Sequence, residues 1–170
     1  MDSRELLMDC FGRIDDYFRD VADGLDAAAL NFRPEGSGNS ISWLLWHLTR
    51  VQDDHIVGLA EGDPQDQAWS SWRERFGLPL EDWDTGFGHD DAQVASVRVD
   101  DPDLLLGYHA DVHQMTLDHL HSIDPTGLER VVDRNWDPPV TAGVRLVSVV
   151  GDCLAHLGQA DYVKGLAPTR

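Results

Sequence analysis

Residues 143–164, GVRLVSVVGDCLAHLGQADYVK, read as one long amphipathic helix. Leu146, Val149, Val150, Cys153, Leu157 and Ala160 recur at helical spacing and form its apolar stripe. Gly165 and Pro168 end it. Three further segments follow the same rule. Over residues 3–23 the stripe is Leu6, Leu7, Cys10, Phe11, Ile14, Tyr17, Phe18 and Val21, with Gly24 as the stop. A second helix begins at Ser40 or Ser42, either of which can cap it, and runs through Ile41, Leu44, Leu45, Leu48, Val51, Ile56 and Leu59 to Gly62 and Pro64. A third starts with Asp101 as cap and Pro102 in the first position, and closes at Asp124, Pro125 and Gly127. Four long amphipathic segments without strong strand content predict an all-α, four-helix bundle.

The connections are unequal. Pro34, Gly36 and Gly38 make residues 31–39 a loop. Residues 62–100 carry Trp69, Trp72, Phe76, Trp83 and Phe87 between Gly and Pro. This long aromatic-rich connection between helices 2 and 3 is expected to hold one or two short helical turns and to cover one end of the bundle. A short extended segment, residues 128–140, precedes helix 4, with Val131 and Val132 before Trp136, Pro138 and Pro139. A chain of 170 residues with 42% apolar and 26% charged content suits one domain, 1–170.

Thirty-one acidic residues against thirteen basic ones give a net charge of -18. No basic patch interrupts that field, which argues against nucleic acid and anionic membrane as partners. Cys10 and Cys153 fall in apolar helical patterns and have neither zinc-finger nor redox spacing. Asp2 and Glu5 do not fit the basic start of a signal peptide, so a cytoplasmic location is expected.

Chemistry centres on helix 4. Asp152 and His156 are four apart, one turn from each other on the flank of the stripe. A carboxylate and an imidazole so placed can hold one divalent ion, or simply bond to each other. Gln159 follows on the same side as a candidate to hydrogen-bond a metal ligand or to line the substrate pocket. His47 occupies the equivalent flank of helix 2, between Leu44, Leu48 and Val51. If the two helices adjoin, two nitrogens and one oxygen converge and leave coordination positions open. Among the other histidines, His109 and His113, four apart, have a spacing that can bind metal but read sooner as a solvated pair; His89 can approach the site from its loop but reads sooner as a surface residue, and His121 reads as solvated. His55 and His119 read as packed groups, with a pocket within reach of His55, and Trp43 and Trp46 flank the His47 face. No phosphate-binding glycine loop, nucleophile elbow or catalytic triad spacing occurs.

Four segments together resemble the DinB-like superfamily: residues 42–51 (SWLLWHLTRV), 84–89 (DTGFGH), 135–141 (NWDPPVT) and 152–162 (DCLAHLGQADY). Within it they are similar to an actinobacterial branch that includes mycothiol-dependent S-transferases. The resemblance implies a four-helix bundle holding a divalent metal through His47, Asp152 and His156. Asp152 stands where many members carry His.

The expected activity is that of a metal-dependent transferase using a low-molecular-weight thiol such as mycothiol. Zinc is the expected metal, with nickel or another divalent ion as alternatives. The small-molecule electrophile is expected under the aromatic loop. A metal-dependent hydrolase is the alternative, with Asp54, seven residues after His47, as general base. A non-enzymatic metal-binding stress protein, homodimeric through exposed helix faces, is a third reading.

Overall fold

The computed structural model describes residues 1–124 and 126–168, so the expected role of Pro125 in closing helix 3 lies outside the described residues. Each long helix begins where a side chain can satisfy free backbone amides. Asp2 and Glu5 form a reciprocal capping box at the start of α1, Ser3–Ala22. Asp26 caps a four-residue helix, α2, Ala27–Leu30, for which too few residues exist to show a period. Ser40, not Ser42, caps α3, Ile41–Leu59, by accepting from the Trp43 amide at 3.1 Å. The long connection holds α4, Trp69–Phe76, and α5, Asp91–Ser96. Asp101 and Pro102 open α6, Pro102–Ser122, as the sequence predicts. A two-stranded antiparallel ribbon, β1 Val131–Asp133 with β2 Val140–Thr141, leads into α7, Ala142–Leu166, capped by Thr141.

The long helices pack in a closed ring: α1 on α6 and α7, and α3 on α6 and α7. The fold is thus the expected all-α bundle. α3 is buried over every residue from Ile41 to Arg50, which no one-sided stripe predicts. Its outer face is covered by α4 and the loop after it. Asp53 accepts from the amides of Ala68 and Trp69, at 3.0 and 2.8 Å, and from the Tyr108 hydroxyl at 2.8 Å. Arg50 lies beside Asp53 and donates from Nε to the Asp84 carbonyl.

The same burial corrects the reading of His109. Its ring stacks flat on Phe18 at 4.0 Å in the core, and burial pushes its pKa down to about 3. It is not one of a solvated pair, because α1 covers the side of α6 that a wheel leaves ambiguous; His113 beside it is half-buried. His119, read as packed, is also only half-buried. Among the described residues no helix is long and apolar enough to cross a membrane.

Candidate metal centre

α3 and α7 run antiparallel, with His47 beside His156 and Leu48 beside Cys153. The structure therefore brings together the three residues singled out on these helices. One ligand-capable atom from each of His47, Asp152 and His156 lies within 4.8 Å of the others. The two imidazole rings stand nearly perpendicular, centroids 4.7 Å apart.

Hydrogen bonds fix the rings. His47 Nδ1 lies 2.5 Å from the Thr85 carbonyl, and His156 Nδ1 lies 2.9 Å from the Asp152 carbonyl. A carbonyl only accepts, so each Nδ1 carries the proton and each Nε2 presents a lone pair. This is the arrangement that orients a histidine as a metal ligand.

Asp152 supplies the test of fit. Its Oδ2 is buried with no hydrogen-bond partner, and His156 Nδ1 stands 3.5 Å from it. A buried carboxylate oxygen without a hydrogen bond is costly unless a cation faces it. Two imidazole lone pairs and a carboxylate suit a divalent ion. Burial pushes Asp152 up, but the neighbouring imidazoles of His156, His47 and His55 outweigh it and hold its pKa below 3.8. Asp152 in turn holds His156 above 6.5, against burial. Burial holds His47 below 6.5.

The loop after α4 frames the group. Trp43 stacks on His47 at 4.5 Å and donates from Nε1 to His89 Nδ1 at 3.1 Å. An indole can only donate, so His89 is neutral and its Nε2–H bonds the Asp84 carboxylate at 3.0 Å. His89 is accordingly buried behind Trp43, not on the surface. Its place in a Gly-rich segment hid this, because nothing local shows that the loop folds back on α3. Gly86 has φ of +87°, and a Cβ there meets His47 Nδ1 and Trp46 Cζ3 at 2.9 Å each. Only glycine lets the Thr85 carbonyl reach His47.

A cavity of about 440 Å³ opens on the group, lined by His47, Val51, Asp54, His55, Phe87 and Asp152 among others. Asp54 is thus in the cavity, and Gln67 Nε2 donates to it at 2.9 Å. His55 lines the cavity rather than the core, and burial, with Arg145 nearby, holds its pKa below 6.5. Gln159 is exposed and outside the group: a turn further along α7 that face turns to solvent, as the exposed Tyr162 shows. Neither cysteine lines the cavity; Cys153 is fully buried and burial pushes its thiol far up.

The class that fold and site define is a helical bundle with a His/Asp/His group, able to hold a metal ion, between two antiparallel helices and open to a cavity. The chain belongs to the DinB superfamily, whose model matches residues 11–160. It is similar to a protein of known crystal structure, described as the conserved protein of locus from Enterococcus faecalis. That similarity is 33% identity over 98% of each chain, with a TM-score of 0.89. No curated protein matches the chain.

Proposed function

We propose that the protein is a metal-dependent transferase that joins a low-molecular-weight thiol, such as mycothiol, to a small electrophile. The observation that carries this reading is the His47–Asp152–His156 group facing a cavity that contains no protein thiol. A divalent ion held there, zinc in our reading, supplies Lewis acidity that favours thiolate over thiol. Thr85 keeps the proton on His47 Nδ1, and the Asp152 backbone does the same for His156. Asp54 stands on the cavity wall as the acceptor for the thiol proton. Phe87, 91% exposed at the cavity rim, offers an apolar face to the electrophile. The reading places the protein in the cytoplasm, where such thiols stay reduced and both cysteines stay free.

Asp54 also favours a second reading. With water in place of the thiol, the same carboxylate is the general base of a hydrolase. The test is turnover of an electrophile panel with mycothiol, bacillithiol, glutathione or no thiol, with and without zinc. Thiol- and metal-dependent turnover is expected; equal turnover without thiol assigns the hydrolase. Metal analysis of untagged protein is expected to find bound divalent metal that His47→Ala and His156→Ala remove. Unchanged metal content in both variants overturns either reading.

A further inference from the structure

The cleft between α3 and α7 continues past the metal-type group. On α7, Arg145, Val149, Asp152 and His156 follow at steps of four, three and four, which places them in one row. Arg145 lies seven residues before Asp152, about 10 Å along the helix. At that end a smaller cavity, about 190 Å³, is lined by His55, Gly58, Leu59, Val132 and Arg145. His55 also lines the 440 Å³ cavity, so the two adjoin across its ring. Arg145 is the one basic side chain lining either. Among the described residues its single hydrogen bond runs from Nη2 to Asp133 Oδ2 at 3.3 Å, and its Nε and Nη1 have no protein acceptor.

We propose that Arg145, with His55, is an anion subsite that anchors a carboxylate of the substrate, with the Arg145 backbone about 10 Å along α7 from that of Asp152. A guanidinium has two bidentate edges, Nε with Nη2 and Nη1 with Nη2, and the single bond from Nη2 to Asp133 occupies one, so the other can match a carboxylate. A dianion is disfavoured because Asp54 and Asp152 line the cleft and Asp133 already offsets part of the Arg145 charge. Val51 and Val149 wall the stretch between, which suits an apolar spacer. The substrate class is therefore a small monocarboxylate whose reactive end lies across a short alkyl or aryl chain. The proposal deepens the transferase reading, but the anchor consists of protein groups and is testable without metal or thiol.

The first experiment follows the Arg145 Nε–H resonance by NMR while the protein is titrated with hexanoate or with hexanol. Hexanoate is expected to move it saturably, with His55 following, and hexanol is expected to leave it in place. Arg13, exposed and paired with Asp9, is the control. A hexanoate effect on Arg145 no larger than on Arg13 overturns the proposal. The second experiment titrates cobalt-loaded protein with 6-mercaptohexanoate and 6-mercaptohexanol, read by the cobalt absorption spectrum. The acid is expected to bind about tenfold tighter, and Arg145→Gln to abolish that preference while the alcohol binds as before. Equal affinity of both thiols for the unaltered protein overturns the anchor. If neither thiol perturbs cobalt yet hexanoate still moves Arg145, the thiol reading fails and the anchor stands. A purely structural Arg145–Asp133 tie predicts lower stability in Arg145→Gln with the acid preference intact, which also overturns it.

Discussion

Gly86 shows how tightly the loop is fitted to the metal-type group. Gly86→Ala puts a methyl within 2.9 Å of His47 Nδ1 at a φ of +87°, so the loop must withdraw and carry the Thr85 carbonyl with it. Stability is expected to fall by about 1–3 kcal/mol in thermal denaturation, with a parallel loss of zinc affinity. Gly88→Ala separates strain from contact, because its φ is +77° but nothing lies within 4 Å of the added carbon. It is expected to lose about 1–2 kcal/mol and keep its zinc affinity. The two imidazoles make a second prediction. A metal ligand must be unprotonated, so affinity falls with pH through the higher of the two histidine pKa values. Asp152 raises His156 above 6.5, whereas burial lowers His47, so His156 sets that limit. In the metal-free fold the sign reverses. The raised His156 stabilises below 6.5 and loses this as pH rises through its folded pKa. The lowered Asp152 stabilises above 3.8 and loses this as pH falls through its folded pKa. Zinc affinity, measured by chelator competition, is expected to begin falling above pH 6.5 as acid is added. Asp152→Asn is expected to shift that fall to lower pH and weaken the plateau; an unshifted fall shows that Asp152 does not govern His156.

At the scale of elements, α3 depends on its covers. Asp53 joins α3 to the start of α4 and to α6, and beside it Arg50 is fully buried with Nη2 unpartnered. Asp53→Ala strands that guanidinium and frees the Ala68 and Trp69 amides. A loss of about 3–5 kcal/mol in urea denaturation is expected, with faster amide exchange at Ala68 and Trp69. A loss under 1 kcal/mol means that the cluster is not what fastens α4. These ties also mark where reading the sequence stops. Apolar periodicity, the Ser40 and Asp101 caps and the Gly and Pro stops locate the four long helices to within two or three residues, because these signals act through neighbours in the chain. His47, Asp152 and His156 stand out because helical spacing alone fixes their faces. The places of His89 and His109 are not legible in the sequence, because their surroundings come from segments 46 and 60 residues away, at Trp43 and Thr49. Thr85 acts through its carbonyl, which carries no side-chain signature.

Across the whole molecule the charge of -18 acts on folding and on binding with opposite signs. Excess acid repels itself in the compact state, so salt that screens it stabilises the fold. The same field draws divalent cations toward the cleft, so screening weakens their capture. It also opposes anions, which gives an arginine such as Arg145 a local task that the overall charge cannot perform. Raising sodium chloride from about 10 mM to about 300 mM shortens the Debye length from roughly 30 Å to under 8 Å. Contacts within the His47–Asp152–His156 group are shorter than either length, so their geometry is untouched while the long-range field collapses. The melting temperature of metal-free protein is therefore expected to rise, and the zinc association constant to fall several-fold, over one salt series. Chloride competition for zinc is excluded by repeating the series with perchlorate. If melting temperature and affinity move in the same direction, the acidity acts through local pairs and not through the field of the molecule.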